Sequence, residues 1–590
     1  MGVQSSVRVR PPVRVRPPAL LTDRAGPVTT RPRLSRWYRH AVIYCVDVDS
    51  FADANGDGHG DLPGLIARLP HLARLGVTCL WLNPIHPTPN RDDGYDVADY
   101  YDVDPRLGTL GDVVELIHEA GDLGIRVIMD LVVNHTSDEH PWFCSARSDP
   151  DSPYRDWYIW SSAEPADRFQ GVVFPGEQEE TWTWDEQAQA WYFHRFYDFQ
   201  PDLNWRNPAV RAEVLRVMGF WVQLGMSGFR VDAAPFVIEL VAPDEDPAPH
   251  DFGIIDEWRQ FLQWRRGDAI LLGEANVSPQ DVSAFFGSSP VAADRMHLLF
   301  DFVLNPRIFL ALAREDAEPL AESLTEAVRV PSDGQWATFL RNHDELDLSR
   351  LTQSQRAEVF DAFAPRPQMR LFNRGIRRRL APILGNDRQR LELAYALQFS
   401  LPGTPVIRYG EEIGMGENLA APGRDAIRTP MQWSAERNGG FSTARREDLV
   451  VAPIGGGPFG FRKVNVRAQR QDPSSLLSWM QRLIAVRQEC PEIGEGSGRV
   501  VPLAGVPSGV LVHRVDGEAG SLVFLHNLSG QKHRVDLSGL PGLDGAEKVL
   551  SDHSQNGEAR GRFSDDELPV VELAPFGYRW LRLPGQTHAG

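Results

Sequence analysis

Cysteine is scarce in this chain, with four residues among 590. They are Cys45, Cys79, Cys144 and Cys490, and no two of them form a C-x-x-C pair. This spacing excludes a zinc knuckle or a disulfide framework as the feature that organises the fold. Scattered thiols are typical of a reducing compartment, so we expect a cytoplasmic protein.

Long apolar runs are also missing. No stretch approaches the roughly 20 consecutive apolar residues of a membrane-spanning helix. The N-terminal segment is rich in Arg and Pro and lacks the apolar centre of a secretory signal. It contains VRVRPP twice in tandem, at residues 7–12 and 13–18. Because proline blocks helix and sheet hydrogen bonds, residues 1–36 are predicted to form a disordered arm, and a solvated tail is favoured over a binding element.

Positive charge is in deficit. The 61 basic side chains are outnumbered by 80 acidic ones, which gives a net charge of −19. A nucleic-acid surface or an anionic membrane would require clustered positive charge, so neither partner is expected. The charge is instead typical of a soluble enzyme with a small-molecule partner. The sequence leaves a homo-oligomer open.

From Ala41 onward, short β-rich runs alternate with amphipathic helical segments. Eight such runs begin at Ala41, Val77, Arg126, Gly228, Ala269, His297, Trp336 and Thr404. Eight alternations predict an α/β fold, a closed (β/α)8 TIM barrel, over residues 37–494. Within it, Asn207 and Pro208 are predicted to cap and begin a helix.

Two segments depart from the βα alternation. Residues 136–206, after the third strand, are too long for a simple crossover and are predicted to form an inserted subdomain. Their many aromatic and acidic residues suit sugar binding, and they would also supply a small aromatic core; we expect both roles. Residues 495–590 alternate in the manner of short strands and predict a C-terminal antiparallel β-sandwich.

Carboxylates recur at the predicted strand ends, where a TIM barrel places its active site. Asp232, Glu274 and Asp344 end strands four, five and seven, and are expected to meet in one pocket. Because neighbouring like charges raise each other's pKa, such a cluster is costly unless the chemistry requires it.

Retaining glycosyl transfer requires such a cluster. One ionised carboxylate attacks the anomeric carbon while a second, protonated one delivers a proton to the leaving oxygen, with roughly 5–5.5 Å between them. Arg230 shares a strand face with Asp232 and would keep it ionised as the nucleophile. Glu274 lies among apolar residues with no basic neighbour in sequence, which favours a raised pKa and the role of acid.

The ordered strings around these residues resemble the α-amylase superfamily, glycoside hydrolase family 13. DLVVNH at Asp130, GFRVDAA at Gly228, GEA at Gly273 and FLRNHDE at Phe339 are similar to its four signature regions, and QPDLNW at Gln200 to a fifth. The resemblance covers the chain from about Trp37 and implies that Asp232 is the nucleophile, Glu274 the general acid/base and Asp344 the transition-state stabiliser. It also implies substrate contacts at Asp92, Tyr95, His135, Phe199, Gln200, Arg230, His343 and Arg424.

Longer strings, such as PGEQEETWTWDE at Pro175 and RTPMQWSAERNGGFS at Arg428, resemble the branch of that family that interconverts maltose and trehalose. In that reaction the freed glucose turns over within a closed site and attacks through its anomeric hydroxyl. We expect Asp92 and Arg424 to form a latch across the site. Two strings, DVDSF at residues 47–51 and RYGEEIG at residues 408–414, depart from the family pattern and are expected to affect the acceptor site.

Two sets of oxygen ligands predict structural Ca²⁺ or Mg²⁺. Asp53, Asn55, Asp57 and Asp61, with the His59 carbonyl, are spaced like the first part of a calcium loop. A glycine-rich turn that needs Asp and Asn for its conformation is the alternative. The resemblance implies a second site at Asn134, Asp202 and Glu239, although Glu239 would otherwise be an ordinary helix residue. No organic cofactor is expected.

Two other functions compete with the maltose–trehalose isomerase. An α-glucosidase that hydrolyses or transglycosylates short α-glucosides would use the same three carboxylates and differ only in how well it excludes water. A catalytically inactive sugar-binding protein would have lost at least one of them, and all three are present.

Overall fold

The computed structural model describes residues 36–243, 247–288, 293–326, 328, 330–518, 520–552, 561–562 and 569–584. The predicted arm, with its VRVRPP repeat, lies outside the described residues except for Arg36. From Arg36 onward the chain forms one compact unit.

Eight parallel strands close into a barrel. Numbered in chain order, barrel strands 1–8 are Ile43–Val46, Cys79–Leu82, Arg126–Leu131, Gly228–Val231, Ile270–Gly273, Leu298–Phe300, Gln335–Phe339 and Thr404–Arg408. Closure is direct, because Ile43 pairs with Cys79 of strand 2 and with Val406 of strand 8. The predicted (β/α)8 barrel is therefore confirmed. Each strand lies within a run identified from the sequence, except that strand 7 begins one residue earlier than predicted, at Gln335.

Both faces of the barrel strands are buried, as a parallel sheet covered by helices requires. In strand 1, Ile43 and Cys45 join the apolar cluster inside the barrel. Tyr44 and Val46, which alternate with them, join the larger cluster beneath the helices. This alternation gives the strands largely apolar sequences, and most of their polar residues lie at or near the strand ends.

The α-helices of the described chain are Leu62–Leu75, Leu110–Asp122, Pro141–Ser148, Pro208–Leu224, Ala234–Val237, Gly253–Arg265, Val282–Phe286, Leu304–Arg314, Glu318–Thr325, Gln353–Phe363, Leu380–Ile383, Arg388–Ser400, Val466–Gln471, Leu476–Gln488 and Pro491–Glu495. The predicted cap is confirmed: the Asn207 side chain accepts a hydrogen bond from the Ala209 N–H and Pro208 is the first helical residue. That helix ends at Gly225, whose φ of 117° lies in the left-handed region. None of the helices in the described ranges combines the length and apolar character needed to cross a bilayer.

The segment between barrel strands 3 and 4 folds into a small subdomain. Three antiparallel strands, Trp160–Ser161, Ala190–Phe193 and Trp182–Asp185, form its sheet in that order. Its helix, Pro141–Ser148, packs Phe143 against Trp157, Tyr158 and Tyr192. Part of the aromatic content therefore forms a core of its own.

The C-terminal part is antiparallel. Its larger sheet contains, in spatial order, Ser497–Val500, Val510–Gly517, Gly520–Asn527, Tyr578–Leu583, Glu547–Ser551 and Gly561–Arg562, and its smaller sheet pairs His533–Asp536 with Val570–Leu573. An apolar cluster that includes Val512, Val523, Val535 and Leu573 lies between the two sheets. The expected sandwich is thus present, and its outer cluster is separate from the barrel core.

Candidate active site

The carboxyl ends of the barrel strands open into a cavity of about 720 Å³. Asp232, Glu274 and Asp344 all line it. Asp232 follows barrel strand 4, Glu274 follows strand 5, and Asp344 lies in the loop after strand 7. Three carboxylates that are distant in sequence therefore face one space large enough for a disaccharide-sized ligand.

Arg230 lies beneath these groups and is 1% exposed. Its Nη1 lies 2.6 Å from Asp232 Oδ1, and its Nη2 lies 2.9 Å from Glu274 Oε2. The same Nη1 also contacts Asp130 Oδ1 at 2.8 Å. Because one planar guanidinium holds both Asp232 and Glu274, the two carboxylates are kept within reach of a single anomeric carbon.

Ionisation differs across the three carboxylates. Burial raises the pKa of Glu274 to about 7, against the opposing effect of Arg230. Burial also raises the pKa of Asp232, to about 6, with Arg230 again acting in the opposite direction. For Asp344, burial alone would raise the pKa, but the charge of Arg424, the contact with His343 and the charge of Arg428 together outweigh it and hold this pKa well below its usual range. Of the three carboxyl groups, Glu274 has the highest pKa and is therefore the best suited to act as the general acid.

This geometry alters one expectation. Glu274 has no basic neighbour in sequence, yet the fold brings Arg230 against it. Its raised pKa therefore arises from burial that outweighs a cation, and not from isolation from positive charge.

Ala233 shows backbone strain next to Asp232. Its φ is 48°, in the left-handed region that residues with a Cβ rarely adopt. This conformation turns the Ala233 N–H toward Glu274, where it donates to Oε2 at 3.1 Å. The strained residue thus ties the strand that carries Asp232 to the carboxylate of Glu274.

A second group of polar residues forms the floor opposite this pair. The Tyr95 hydroxyl lies 2.8 Å from His343 Nε2 and donates to Asp130 Oδ2 at 3.0 Å. His135 Nε2 lies 3.0 Å from the Tyr95 carbonyl oxygen. Burial lowers the pKa of His135 to about 4 and that of His343 to about 3, so both rings are neutral at pH 7 and offer hydrogen bonds without charge.

The expected latch between Asp92 and Arg424 takes a different form. Arg424 Nη1 contacts Asp344 Oδ1 at 3.1 Å and its Nε donates to Glu345 Oε2 at 2.8 Å. Asp92 instead accepts a hydrogen bond from Gln200 Nε2 at 2.9 Å. Both residues line the cavity, but Arg424 pairs with the carboxylates after strand 7, because these lie nearer to it.

Three of the expected substrate contacts do not line the cavity. Arg230 is buried below it, and Gln200 acts on it through Asp92. Phe199 stacks on Tyr197 with ring centroids 5.1 Å apart and lies under the guanidinium of Arg91. Its ring therefore packs between Tyr197 of the subdomain and Arg91, and a sugar contact at Phe199 stays a prediction.

Sequence reasoning missed an aromatic cover over the site. Phe174, from the inserted subdomain, stacks on Phe372 with centroids 4.8 Å apart, and Arg424 lies over both rings. The Arg374 guanidinium donates to the Val173 carbonyl oxygen at 2.6 Å. These contacts join the subdomain to a small sheet made of Leu346–Asp347, Gly375–Ile376 and Arg370–Leu371. The only signal in the sequence was the aromatic richness of the insertion.

Further polar residues line the outer part of the cavity: Asn276, Glu345, Asp347, Arg350 and Arg374. Asn276 Nδ2 donates to Asp347 Oδ2 at 2.9 Å, and Arg350 Nε donates to Asn276 Oδ1 at 2.7 Å. The spacing of residues in the sequence could not predict this hydrogen-bonded rim, because its residues come from two separate segments, after strands 5 and 7.

The two strings that depart from the family pattern lie away from the cavity lining. Glu412 accepts a hydrogen bond from the Tyr44 hydroxyl at 3.0 Å, and Glu411 contacts Arg379 at 3.4 Å. Asp49 Oδ1 lies 2.9 Å from His59 Nδ1. These acidic residues hold loops together around the barrel rim, and the expectation that they affect the acceptor site is not supported.

The first predicted metal loop is a hydrogen-bonded turn. Asp53 accepts the N–H groups of Gly56 and Gly58 at 2.6 and 2.9 Å, and Asp61 accepts those of Ala54 and Asn55 at 3.0 and 3.1 Å. Asn55 Oδ1 accepts the Asp57 N–H, while the His59 ring turns toward Asp49. A Cβ on Gly58 would lie 2.1 Å from the Asp448 carbonyl oxygen, so this position admits only glycine. The donor set is rich in oxygen, as Ca²⁺ prefers.

In the second predicted metal set, Asn134 and Asp202 are buried, and the Glu239 side chain is 24% exposed. Burial raises the pKa of Asp202 to about 7, which a nearby cation would reverse. Arg195 Nη2 already contacts Glu239 Oε2 at 2.6 Å, and the Arg195 N–H donates to Asp202. The Asn134 amide nitrogen lies 3.4 Å from His135 Nδ1. Among the described residues, no group of three or more acidic, His or Cys side chains is gathered closely enough to enclose an ion. Oxygen donors are present at both places, but their side chains are held by protein partners.

A (β/α)8 barrel whose cavity gathers three carboxylates, two of them on one guanidinium, is typical of glycoside-processing enzymes. The sequence profile of the alpha amylase catalytic domain matches residues 44–364 and 369–496. The chain belongs to the α-amylase family.

Curated relatives that are 41–44% identical share the description trehalose synthase, while others at 30–33% identity are named as glucosidases or an α-amylase. Trehalose synthase of Thermus thermophilus is 44% identical over 503 residues, 85% of this chain and 51% of that protein, so the chain spans about half of its length. Trehalose synthase/amylase of Mycolicibacterium smegmatis is 42% identical over 524 residues, 87% of this chain and 88% of the relative. Trehalose synthase of Pimelobacter is 41% identical over 564 residues, 94% and 97% of the two chains.

Solved structures share the whole architecture. A variant of the trehalulose synthase MutB superposes with a TM-score of 0.74 at 26% identity, over 93% of this chain and 100% of that one. Trehalose-6-phosphate hydrolase of Bacillus licheniformis superposes with a TM-score of 0.72 at 24% identity, over 93% and 99%. The latter similarity shows the fold alone.

Proposed function

We propose that this protein interconverts maltose and trehalose by transferring a glucosyl group within one enclosed site. The observation that carries the proposal is the convergence of Asp232, Glu274 and Asp344 on one cavity, with different pKa shifts. The description shared by the curated relatives that are 41–44% identical supports the choice of disaccharides.

In the first step Asp232 attacks the anomeric carbon of the non-reducing glucose of maltose. The bond from that carbon to the bridging oxygen breaks, and Glu274 gives its proton to this oxygen, which leaves as the 4-hydroxyl of free glucose. Arg230 contacts both groups and compensates the charge that moves between them. The product is a covalent glucosyl ester on Asp232.

In the second step the free glucose, reoriented in the cavity, attacks through its anomeric hydroxyl. Glu274 accepts the proton of that hydroxyl, the new α,α-1,1 bond forms, and the ester to Asp232 breaks. Asp344 remains ionised throughout, because Arg424, His343 and Arg428 together hold its pKa low, and its negative charge stabilises the oxocarbenium-like transition states. No water is consumed or released in the complete reaction.

Hydrolysis is the competing outcome, because water can replace glucose in the second step. The stack of Phe174 on Phe372, with Arg424 over both rings, covers the cavity from the side of the inserted subdomain. This cover favours retention of the freed glucose and exclusion of water. An α-glucosidase that lacks such a cover would use the same carboxylates.

Incubation with maltose distinguishes the two reactions. The proposal requires trehalose as the main product, with free glucose as a minor one, and the reverse reaction from trehalose. Labelled glucose added to the solution should enter the disaccharides poorly, since the acceptor is the glucose already enclosed. Mostly glucose from maltose would contradict the isomerase and support the α-glucosidase.

We further propose that Asp53, Asn55, Asp57, Asp61 and the His59 carbonyl hold a structural Ca²⁺ or Mg²⁺, and that Asn134, Asp202 and Glu239 hold a second ion. The oxygen-rich donor sets support this assignment. Chelator-treated protein should regain thermal stability on addition of Ca²⁺, and calorimetry should detect two ions per chain. Asp53→Ala should remove one ion and the stabilisation that it provides. Equal thermal unfolding midpoints of the unchanged protein with and without Ca²⁺ would contradict the proposal.

We also propose a cytoplasmic location and leave a homo-oligomer as a prediction. All four cysteines are free, and Cys144 is exposed, as a reducing compartment permits. Cell fractionation tests the location, and light scattering tests the oligomeric state. Recovery of the protein from an extracytoplasmic fraction would overturn the first proposal.

A further inference from the structure

A second cavity lies on the outer side of the barrel, with a volume of about 460 Å³. It is formed by the helix Leu62–Leu75, the turn around residues 433–440 and the helix Val466–Gln471. None of the residues that line it lines the catalytic cavity. We call it the arginine pocket, because Arg68, Arg467 and Arg470 contribute to its wall.

Two of these arginines have no acidic partner. Within the described ranges, neither Arg68 nor Arg470 forms an ion pair. The Arg68 guanidinium instead lies over the Trp433 ring, 4.4 Å from its centroid, and Arg470 Nη2 donates to His71 Nδ1 at 3.2 Å. Burial, followed by the charges of Arg470 and Arg467, lowers the pKa of Arg68.

The His71 ring fixes the position of Arg470. Since Nδ1 accepts from Arg470, Nε2 carries the hydrogen and donates to Glu412 Oε1 at 3.2 Å. Glu412 is fully buried and also accepts from the Tyr44 hydroxyl at 3.0 Å. The cationic wall is thus anchored to the barrel by a hydrogen-bonded chain and does not consist only of free surface side chains.

The local charge is opposite to that of the molecule. The chain carries a net charge of −19, yet the pocket lining contains three arginines and one carboxylate, Glu436, which pairs with Arg467. Converging guanidinium groups without counter-ions repel each other, and a bound oxyanion relieves that repulsion. Guanidinium groups match the oxygen geometry of phosphate with paired hydrogen bonds.

We propose that the arginine pocket binds the phosphate group of a small phosphorylated metabolite. Arg68 and Arg470 supply the two unpaired cations, and Arg467 supplies a third when Glu436 releases it. The volume lies within the range of about 300–1,000 Å³ that is typical of small-molecule sites, so it accommodates an organic group beside the phosphate. Binding here does not depend on the reaction proposed for the catalytic cavity.

Titration calorimetry on the full chain tests the pocket with three probes: inorganic phosphate, glucose 6-phosphate and glucose. Both phosphate probes should bind and glucose should not bind at this site. Tighter binding of glucose 6-phosphate shows that the organic group makes contacts, and equal affinities identify the phosphate alone as the ligand. Either result supports the proposal, while failure of both phosphates to bind at millimolar concentration overturns it.

Variants locate that binding. The double variant Arg68→Gln with Arg470→Gln should weaken phosphate binding by about tenfold or more, because two charge-assisted contacts are lost. Arg265→Gln is the matched control, since Arg265 also lies over an aromatic ring, that of Phe261, at the end of a helix, and lines neither of the two cavities described above. Its affinity should equal that of the unchanged protein. Equal affinity in the double variant would overturn the proposal.

Glu436→Gln gives a test of opposite sign that does not depend on the stability of the double variant. Its side chain is 66% exposed, so its replacement leaves the core unchanged. Loss of the carboxylate frees Arg467 and should tighten phosphate binding by about threefold. This gain in affinity should become smaller as salt is added, because salt screens the charge of Arg467. Unchanged or weaker phosphate binding would contradict the proposed role of the pocket.

Discussion

Arg230 connects the carboxylates of Asp130, Asp232 and Glu274 through a single guanidinium. Its nitrogens lie 2.8 Å from Asp130, 2.6 Å from Asp232 and 2.9 Å from Glu274. A buried charge in this arrangement limits how far burial can raise the pKa of each carboxyl group. We therefore assign Arg230 a positioning role beneath the reacting groups, because it does not line the cavity.

The pH dependence of turnover follows from these shifts. Asp232 must be ionised to attack, so kcat/KM should rise as the pH passes about 6. Glu274 must be protonated to act as the acid, so kcat/KM should fall as the pH passes about 7. A bell-shaped profile with its maximum between these values is expected for maltose.

α-Glucosyl fluoride provides the control for that profile, because its leaving group needs no proton. The alkaline limb should disappear for the first step with this substrate, while the acidic limb remains. An alkaline limb of equal size with both substrates would contradict the assignment of Glu274 as the acid.

Arg230→Lys keeps the positive charge but loses the two-pronged contact. A lysine ammonium cannot hold Asp232 and Glu274 at once, so kcat should fall by about 100-fold while KM changes less. The acidic limb of the pH profile should move to higher pH. An ammonium that no longer contacts Asp232 as closely as the guanidinium does lowers the pKa of that carboxyl group less. A variant with a lower kcat and an unshifted profile would indicate a merely structural role for Arg230.

At the scale of elements, the catalytic cavity is closed by parts of the chain that lie almost 200 residues apart. The inserted subdomain contributes Phe174, and the short sheet after barrel strand 7 contributes Phe372. Neither element belongs to the barrel itself. We expect their contact to limit how much water reaches the glucosyl ester, and therefore to set the ratio of transfer to hydrolysis.

Phe174→Leu tests this contact. Leucine keeps the site apolar but loses the ring stacking with Phe372, so the cover should open more often. The ratio of glucose to trehalose formed from maltose should increase several-fold. Turnover of α-glucosyl fluoride should change much less, because the carboxylates are untouched.

Phe169→Leu is the matched control for that variant. Phe169 lies in the same subdomain, is 62% exposed and does not line the cavity. Its product ratio should match that of the unchanged protein. An unchanged ratio in Phe174→Leu would show that the aromatic cover does not exclude water.

The barrel strands were predictable because each is a short apolar run, buried on both faces and ended by a polar residue. Asp232, Glu274 and Asp344 could be located for the same reason, since strand ends face one side of a TIM barrel. The aromatic cover could not be predicted, because the pairing of Phe174 with Phe372 depends on how two irregular segments fold over the barrel. The partners of Arg424 were mistaken for a similar reason: sequence gives its position but not which of several carboxylates lies nearest.

At the scale of the whole molecule, the C-terminal sheet shares a core with the barrel. Phe524 and Trp580 belong to the same apolar cluster as the barrel helices. The Trp479 indole, on one of those helices, donates to the Tyr578 hydroxyl at 2.9 Å. We conclude that the larger C-terminal sheet stabilises the outer helices that support the barrel. It also encloses a separate apolar cluster together with the smaller, two-stranded sheet.

This shared core leads us to expect a single cooperative unfolding transition. Because separation of the sheet would expose Phe524 and Trp580, its unfolding should coincide with that of the barrel. Scanning calorimetry should show one peak, and loss of activity should follow the same midpoint. A separate low-temperature peak, with activity retained beyond it, would contradict the shared core.

The central claim is that Asp232 forms a covalent bond to glucose, and a trapped intermediate tests it most directly. A 5-fluoro-α-glucosyl fluoride forms the ester readily but slows its breakdown, so the labelled protein can be digested and its peptides examined by mass spectrometry. We expect one fluoroglucosyl group per chain, on the peptide that contains Asp232, and none in Asp232→Asn. A label on another carboxylate, or turnover of the reagent by Asp232→Asn at the original rate, would contradict the claim.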